Sequence, residues 1–156
     1  MSKSLKRVER AAAEAGLDIT ILEMADGTRT AADAATAAGC EIDQIVKSII
    51  FRGEEDGRAL LFLTAGGNRV DDAKASAVAG EALGKADAGL IRAQTGFAIG
   101  GVAPIGHLNP IRAFMDPRLL DFDVIWAAAG TPRHIFSVDP REIERLTSAQ
   151  VTDFIA

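Results

Sequence analysis

The sequence predicts an α+β domain with a mixed β-sheet, and three observations lead to this prediction. Segments of helical periodicity and segments rich in β-branched residues follow each other irregularly, neither as repeating strand–helix units nor as a pure meander. The chain has 156 residues, enough to bury the core of one domain without disulfides or metals. Its 48% hydrophobic and 25% charged residues are typical of a globular protein. We therefore predict a single domain over residues 1–156.

The first predicted helix covers residues 4–16 and has one basic face. Apolar side chains recur there at three- and four-residue spacing, Ser4 is a candidate N-cap, and Gly16 is a candidate end of the helix. The polar face carries four basic side chains: Lys3, Lys6, Arg7 and Arg10. Such a face is either a solvated surface or a patch that faces a nucleic acid.

The remaining elements follow from periodicity and from turn residues. In order, the sequence predicts a strand over 18–24, a turn over 26–30, a helix over 30–39, a hairpin of two strands over 41–67, short helices over 68–80 and 85–96, and strands over 111–116, 121–130 and 133–138. Thr30 and Gly39 are residue types that begin and end helices. Asp139 followed by Pro140 predicts the start of a last helix.

The composition argues against several classes of function. No apolar run approaches the roughly 18 residues of a membrane helix, and the N-terminus lacks the apolar core of a signal peptide. We therefore expect a cytoplasmic protein without a membrane partner. The single cysteine, Cys40, allows no disulfide within the chain. The net charge of −5 argues against general DNA binding, which needs many basic contacts, but it allows a protein that grips only the end of a nucleic acid.

Lys47 is the first candidate functional residue. It lies in the segment "QIVKSIIF", where strand alternation places it on one side together with Ile45 and Ile49. Lysine is rarely buried without a partner. Either the side chain snorkels at a sheet edge, or the strand holds a cation that points into a pocket.

The segment "QTGFAIGGVAPIGHLNP", residues 94–110, contains more glycine than a hairpin needs. Gly100 and Gly101 can adopt positive φ and expose their amides, while Pro104 restricts the path of the loop. Consecutive glycine amides can bind an anion or form an oxyanion hole. The segment matches neither a P-loop nor a dinucleotide-binding fingerprint. A structural bend and the wall of a functional site both remain open.

A third segment, "AAAGTPRH", lies between two predicted strands and contains Gly130, Thr131 and His134. It is either a hairpin turn or the floor of a pocket. His107 and His134 are candidates for an acid, a base or a ligand. Because no cysteine or paired carboxylate lies near them at ligand spacing, we predict neither a metal nor another cofactor.

Three segments, in this order, resemble the YbaK/EbsC family, which includes the editing domain associated with bacterial prolyl-tRNA synthetases. They are "TAADAATAAGCEIDQIVKSIIF", "GFAIGGVAPIGH" and "WAAAGTPRHIFSVDP", and the similarity extends over nearly the whole chain. The resemblance implies a mixed, curved, barrel-like sheet flanked by helices. It also implies hydrolysis of the ester that joins a wrong amino acid to tRNA.

The resemblance further implies a set of site residues. Lys47 matches the recurring lysine of the family, Gly100 to Pro104 match its GxxxP loop, and Gly130 falls in the loop that closes the pocket. Lys47, Gly100 and Gly101 are then the catalytic candidates. The substrate-binding candidates are Val102, Pro104, Gly130, Thr131 and His134.

Two departures from the family pattern affect the lining of the pocket. Many relatives have a histidine near the end of the first strand, where this chain has Glu23 and Met24, and the last loop reads "AGTPRH" instead of a run of glycines. The amino acid removed therefore stays open among alanine or cysteine on tRNA(Pro), and serine or threonine.

Two hypotheses about function follow. The first is a freestanding trans-editing deacylase that binds the acceptor end of mischarged tRNA, with an aminoacyl-tRNA synthetase as a second candidate partner. The alternative is a catalytically idle module that binds tRNA ends or a synthetase. The presence of both Lys47 and the GxxxP loop favours the deacylase.

Overall fold

The structure, a computed structural model, describes residues 2–25 and 30–156. Helices and strands alternate irregularly along these ranges, as the sequence predicts. The helices are α1 (Lys3–Glu14), α2 (Ala31–Ala38), α3 (Asp72–Ala79), α4 (Ala88–Thr95) and α5 (Pro140–Thr147). The strands are β1 (Thr20–Glu23), β2 (Val46–Gly53), β3 (Ala59–Ala65), β4 (Leu83–Lys85), β5 (Arg112–Met115), β6 (Ile125–Ala128), β7 (His134–Val138) and β8 (Gln150–Val151). Short 3-10 helices cover Ile42–Gln44 and Pro117–Asp121.

The strands form two sheets. The larger sheet has the order β4-β2-β3-β5-β8, in which β2 and β3 are the predicted antiparallel hairpin and β3, β5 and β8 are parallel. The smaller sheet, β1-β7-β6, is antiparallel. A parallel bridge between Ile45 and Trp126 connects the two sheets just before β2 begins. The α+β class with a mixed sheet is thus confirmed, although the described strands do not close into a barrel.

The larger sheet buries apolar residues on both faces, with β3 at its centre. All seven residues of β3 are buried, as expected for a strand covered on both sides. Leu61 and Leu63 pack in the same cluster as Val8 of α1. The alternate residue Phe62 packs in a second cluster and stacks on Phe114 with ring centroids 4.6 Å apart. Successive side chains of β3 point to opposite faces of the sheet and therefore pack into two separate cores.

A third, smaller core lies beneath α2. Ala34 and Ala35 of this helix pack against Ile45, Met24 and Ile135. The small alanine side chains let the helix approach the sheet closely. This arrangement places α2, β1, β7 and the start of β2 around a common space.

The helix ends agree with the predicted caps at α2 and differ at α1. The hydroxyl of Thr30 accepts a hydrogen bond from the Asp33 amide at 3.1 Å, and Gly39 ends α2 in the left-handed region with φ of 70°. The predicted cap at Ser4 is wrong, because α1 begins earlier and the hydroxyl of Ser2 accepts from the Ser4 amide at 3.1 Å. Of the predicted turn over 26–30, residues 26–29 lie outside the described ranges.

Two further differences concern the edges of predicted strands. The segment Ile42–Gln44 is a 3-10 helix instead of the start of the hairpin, and the Glu41 amide donates to Gln44 Oε1 at 3.0 Å. Pro117–Asp121 is likewise a 3-10 helix, and the strand predicted over 121–130 is limited to Ile125–Ala128. Local hydrogen bonds of polar side chains favour these turns over a continued strand.

Candidate active site

A cavity of about 240 Å³ lies where β2, α2 and the smaller sheet meet two loops. Its apolar part is formed by small or aliphatic side chains and one tryptophan: Met24, Ala31, Ala34, Ile45, Trp126 and Ile135. Its polar part is formed by Lys47 and Ser48 of β2, by Gly100, and by Thr131 and His134. The cavity therefore combines an apolar end with a polar, partly cationic end.

Lys47 enters this cavity from the start of β2. Its ammonium group donates a hydrogen bond to the backbone carbonyl of Asn68, which follows β3. Burial lowers the pKa of Lys47 and nearby Arg69 lowers it further, whereas Asp116 and Asp43 raise it. An ammonium group has three donors, so one contact with Asn68 leaves two for other oxygens.

Asn68, whose backbone carbonyl accepts the hydrogen bond from Lys47, is itself held by a buried carboxylate. Asp116 is 2% exposed and accepts hydrogen bonds from the side-chain amide of Asn68 at 2.9 Å and from the Ala65 amide at 3.1 Å. The backbone amide of Arg118 donates to the same carboxylate at 3.0 Å. Lys47 is thus fixed to a rigid part of the sheet, since its partner cannot shift without breaking this network.

The loop over residues 99–104 contacts the cavity through some of its residues only. Gly100 and Val102 line it, whereas Gly101 and Pro104 are buried behind it. Gly100 has φ of 88°, a conformation that favours glycine. The amide of Gly101 donates to the Ala98 carbonyl at 3.0 Å and so closes a turn. Within residues 2–25 and 30–156, the amides of Gly100 and Val102 have no protein acceptor.

Gly101 is the point at which this loop touches the next one. A Cβ atom at this position would lie 2.8 Å from the Cα atom of Thr131, closer than any side chain tolerates. Gly130 has φ of 96°, and a Cβ atom there would lie 2.6 Å from the Ser4 carbonyl oxygen. Glycine is therefore required at both positions, because two loops and the first turn of α1 are in direct backbone contact.

Residues 130–134 are both a hairpin turn and part of the cavity wall. They connect β6 to β7, and Thr131, Pro132 and His134 line the cavity. The segment is therefore a hairpin turn and also part of the cavity wall, so the two predicted alternatives do not exclude each other. The hairpin places His134 directly opposite Glu23 across the β1–β7 pair.

His134 connects two polar side chains at the cavity. Its Nε2 lies 3.1 Å from Glu23 Oε2, and its Nδ1 lies 2.6 Å from Thr131 Oγ1. A carboxylate only accepts, so a neutral imidazole must carry its proton on Nε2 and accept at Nδ1 from the Thr131 hydroxyl. The chain Glu23–His134–Thr131 fixes both the ring and the hydroxyl.

The structure brings together site candidates that are far apart in the sequence. Five of the eight line one cavity: Lys47, Gly100, Val102, Thr131 and His134. Gly101, Pro104 and Gly130 lie behind it and shape the loops. His107 lies elsewhere: it lines a different cavity, and its Nε2 lies 2.6 Å from the Ala103 carbonyl oxygen. Burial lowers the pKa of His107.

Sequence reasoning missed three residues at this site. Ser48 lines the cavity, and its buried hydroxyl has no hydrogen-bond partner among the described residues. Trp126 packs against the third core and also lines the cavity. Glu23 was noted only as a departure from the family, because its pairing with His134 depends on strand register.

The described residues also bear on metal binding and on membrane insertion. No group of three or more histidine, cysteine, aspartate or glutamate side chains in residues 2–25 and 30–156 is arranged to hold a metal ion. In the same part of the chain, none of the helices is both long enough and apolar enough to cross a membrane.

The chain belongs to the aminoacyl-tRNA editing domain family, because the profile of that family matches residues 25–146. This confirms the resemblance to the YbaK/EbsC family. The matched range contains the cavity residues described above except Met24. The fold is thus that of an editing domain of the YbaK type.

Similar proteins extend over the same length. The uncharacterized protein YwhH of Bacillus subtilis (strain 168) is 27% identical over 148 residues, which are 95% of this chain and 94% of YwhH. A crystal structure described as a candidate trans-editing enzyme for prolyl tRNA synthetase is 45% identical with a TM-score of 0.93, and the match covers 100% of this chain and 99% of that one. The crystal structure of hypothetical protein APE2540 is 28% identical with a TM-score of 0.86, covering 96% and 99%.

Proposed function

We propose that this protein is a freestanding trans-editing aminoacyl-tRNA deacylase. Its substrate would be tRNA(Pro) charged with alanine or cysteine, or a tRNA charged with another small amino acid. The observation that carries the proposal is a single cavity lined by Lys47, by Gly100 and Val102, and by a small apolar end; the amides of Gly100 and Val102 have no acceptor among the described residues. Membership of the editing family and similarity to the candidate trans-editing enzyme support it.

The reaction needs little from protein side chains. An aminoacyl ester is already activated, so hydrolysis requires a positioned water molecule and stabilisation of the charge that develops on the carbonyl oxygen. The amides of Gly100 and Val102 supply the donors for that oxygen. Because the Gly101 amide is used within the turn, we assign Gly101 to close packing against Thr131 instead.

Lys47 supplies the positive charge. With one proton bound to the Asn68 carbonyl, its ammonium group retains two donors for the terminal phosphate or for ribose oxygens of the substrate. These contacts hold the terminal nucleotide so that its ester reaches the loop amides.

Thr131 and His134 position the water. The proton on Nε2 is held by Glu23, so the Thr131 hydroxyl donates to Nδ1. Because the Arg133 amide donates to the same oxygen at 3.2 Å, one lone pair of Thr131 is left for the cavity. A lone pair accepts a hydrogen bond from water and orients it. The 2′ or 3′ hydroxyl next to the ester completes the orientation, which explains why no separate nucleophile is needed.

The apolar end selects the amino acid by size. Ala31, Ala34 and Met24 leave room for a short side chain, and Trp126 limits its depth. Discrimination of one methylene in such a pocket is limited to about 10–200-fold. The pocket therefore removes small residues efficiently and larger ones poorly.

The test is deacylation of a panel of mischarged tRNAs by the wild type and by Lys47→Ala. We expect ester loss from the alanyl, cysteinyl, seryl or threonyl members, and a fall of about 100-fold in rate for Lys47→Ala. The matched control is Lys85→Ala, an exposed lysine on the edge strand β4 that lies opposite Phe51 of β2 and does not line the cavity.

Two results would contradict the proposal. Failure of the wild type on every tRNA, or equal rates for Lys47→Ala and the wild type, would favour the binding module that does not hydrolyse its ligand. Circular dichroism of each variant separates a lost activity from a lost fold.

A further inference from the structure

The exposed face of α1 carries a stripe of basic side chains. Lys3, Lys6 and Arg10 are exposed, and they lie on the side of the helix opposite Leu5 and Val8, which are buried in the main core. Among the described residues, no carboxylate forms an ion pair with any of the three. The three charges are therefore available to an external partner. We call this set the α1 stripe.

The α1 stripe begins beside the candidate active site. The Ser4 carbonyl is in van der Waals contact with Gly130, and Gly130 precedes Thr131 of the cavity wall. Further along the helix, Arg7 donates to the Gly96 carbonyl at 2.8 Å and lies over the Phe97 ring at 4.6 Å. The helix is thus fixed to both loops that form the polar part of the cavity.

The charge of this face contrasts with that of the whole protein. The chain has a net charge of −5, but α1 has four basic residues and only Glu9 and Glu14 as acidic ones. Glu14 lies in the last turn of the helix, at the end away from Gly130. The N-terminal end of the helix dipole adds further positive potential near Lys3. An anionic partner that enters from the cavity is attracted along the first three turns of the helix.

We propose that the α1 stripe binds the sugar–phosphate backbone of the tRNA acceptor end that leads out of the cavity. The inference rests on the proposed function, because that function places the terminal nucleotide in the cavity. Lys3 and Arg10 are separated by about 10 Å along the helix, so the stripe is long enough to contact more than one phosphate of a strand that runs along it.

These contacts contribute to the affinity for tRNA but not to sequence specificity. Lysine and arginine contacts with phosphates position a nucleic acid but do not read its bases. The stripe therefore increases binding of any tRNA, while identity and the charged amino acid are read elsewhere. This role fits an acidic protein that grips only one end of a nucleic acid.

The experiment compares the triple variant Lys3→Gln/Lys6→Gln/Arg10→Gln with a control triple variant, Arg52→Gln/Arg58→Gln/Lys85→Gln. The control removes the same charge near the end of β2, which lies roughly 20 Å along the strand from Lys47. Binding of uncharged tRNA is measured over a series of salt concentrations. Deacylation is measured with mischarged tRNA and with a short substrate, an aminoacylated adenosine that ends inside the cavity.

We expect the α1 variant to raise KM for mischarged tRNA about tenfold and to reduce the slope of log affinity against log salt by about two. Its kcat on mischarged tRNA and its rate on aminoacylated adenosine stay at the wild-type values. The control triple variant changes these quantities much less.

Three results would overturn the inference. They are an unchanged salt slope in the α1 variant, an equal effect of both triple variants, and loss of binding to a prolyl-tRNA synthetase with tRNA binding intact. The last result would assign the stripe to a protein partner. Because tRNA binding is measured without turnover, a wild type that binds tRNA through the stripe but hydrolyses nothing would contradict only the proposed function.

Discussion

The ammonium group of Lys47 is partly buried, and burial lowers its pKa. Burial is the main cause, with Arg69 acting in the same direction and with Asp116 and Asp43 opposing it. In the unfolded chain the lysine has its ordinary pKa, so between the two pKa values the unfolded state binds more protons than the folded state. The free energy of unfolding of the wild type therefore rises with pH in this window.

Replacing Lys47 with methionine should remove this pH dependence. Methionine has a similar length and no charge, so its variant no longer carries the cost of a buried cation. We expect the difference in unfolding free energy, Lys47→Met minus wild type, to be largest near pH 7. This difference should decrease as the pH approaches about 10, because the wild type becomes more stable. Urea denaturation at a series of pH values measures the difference.

The exposed Lys85 provides the control for this measurement. The corresponding variant, Lys85→Met, removes one positive charge but keeps Lys47, so it should retain the pH dependence that comes from Lys47. A difference for Lys47→Met that is flat between pH 7 and 10 would show that Lys47 is not under electrostatic strain.

Single residues of the site differ in how far the sequence could predict them. Lys47 stands out because a cation interrupts an apolar strand, and the Gly100 loop stands out because its composition is unusual. The Glu23–His134 pair has no such signal: the two residues are 111 positions apart, and only the register of β1 against β7 brings them together. A register shift of one residue would separate them, and nothing local in either segment sets that register.

At the scale of elements, two loops form the polar wall of the cavity because their backbones touch. Gly101 does not have positive φ, so its need for glycine comes from space and not from conformation. A Cβ atom there would meet the backbone of Thr131 at 2.8 Å, and neither backbone can yield as a flexible side chain could. The contact sets the distance between the loop amides and the Thr131 hydroxyl.

Gly101→Ala should therefore reduce activity by moving one loop away from the other. Misplacement by about 1 Å is enough to lower a rate about 100-fold, so we expect a large fall in kcat with a smaller loss of stability. Gly89→Ala on α4 is the control, because that position has negative φ and meets only one side-chain atom at 3.4 Å. The control should retain activity and gain roughly 0.5–1 kcal/mol of stability.

A Gly101→Ala variant with normal kcat would show that the contact between the loops does not position the site. Deacylation rates and thermal unfolding of both variants, measured on the same preparations, distinguish the two effects.

Elements were predictable where their signals are local. The caps Thr30 and Gly39 and the Asp139–Pro140 start lie next to the helices that they define, and the structure confirms them. Strands β4 and β8 have three and two residues, too few for a period of two to be visible. Their pairing, and the division of the strands into two sheets, depends on contacts between distant segments.

At the scale of the whole molecule, the candidate active site and the aromatic core share a face of the larger sheet but lie at different positions along it: Lys47 is at the start of β2, whereas Phe51, further along the strand, packs against the aromatic core. The aromatic core contains Phe62, Phe114 and Phe154, and α3 covers it. The cavity is bounded by α2 and the smaller sheet, and its apolar end belongs to the third core. Stability and activity therefore depend on different residues to a large extent, although β2 contributes to both.

Phe154→Ala tests this separation. The side chain is fully buried, its ring centroid lies 5.0 Å from that of Phe62, and its carbonyl accepts from the Asp71 amide at 2.8 Å. Removing a buried phenylalanine side chain costs about 3–5 kcal/mol, which corresponds to a fall in Tm of roughly 10 °C for a domain of this size. Because the backbone hydrogen bond survives, the end of the chain should stay in place.

We expect kcat per folded molecule of Phe154→Ala at 20 °C to equal that of the wild type. The control is Val124→Ala, which shortens a side chain of a residue that is 42% exposed; it should change neither Tm nor kcat. A Phe154→Ala variant that is fully folded at 20 °C but has lost activity would mean that the aromatic core transmits its packing through β2 to Lys47.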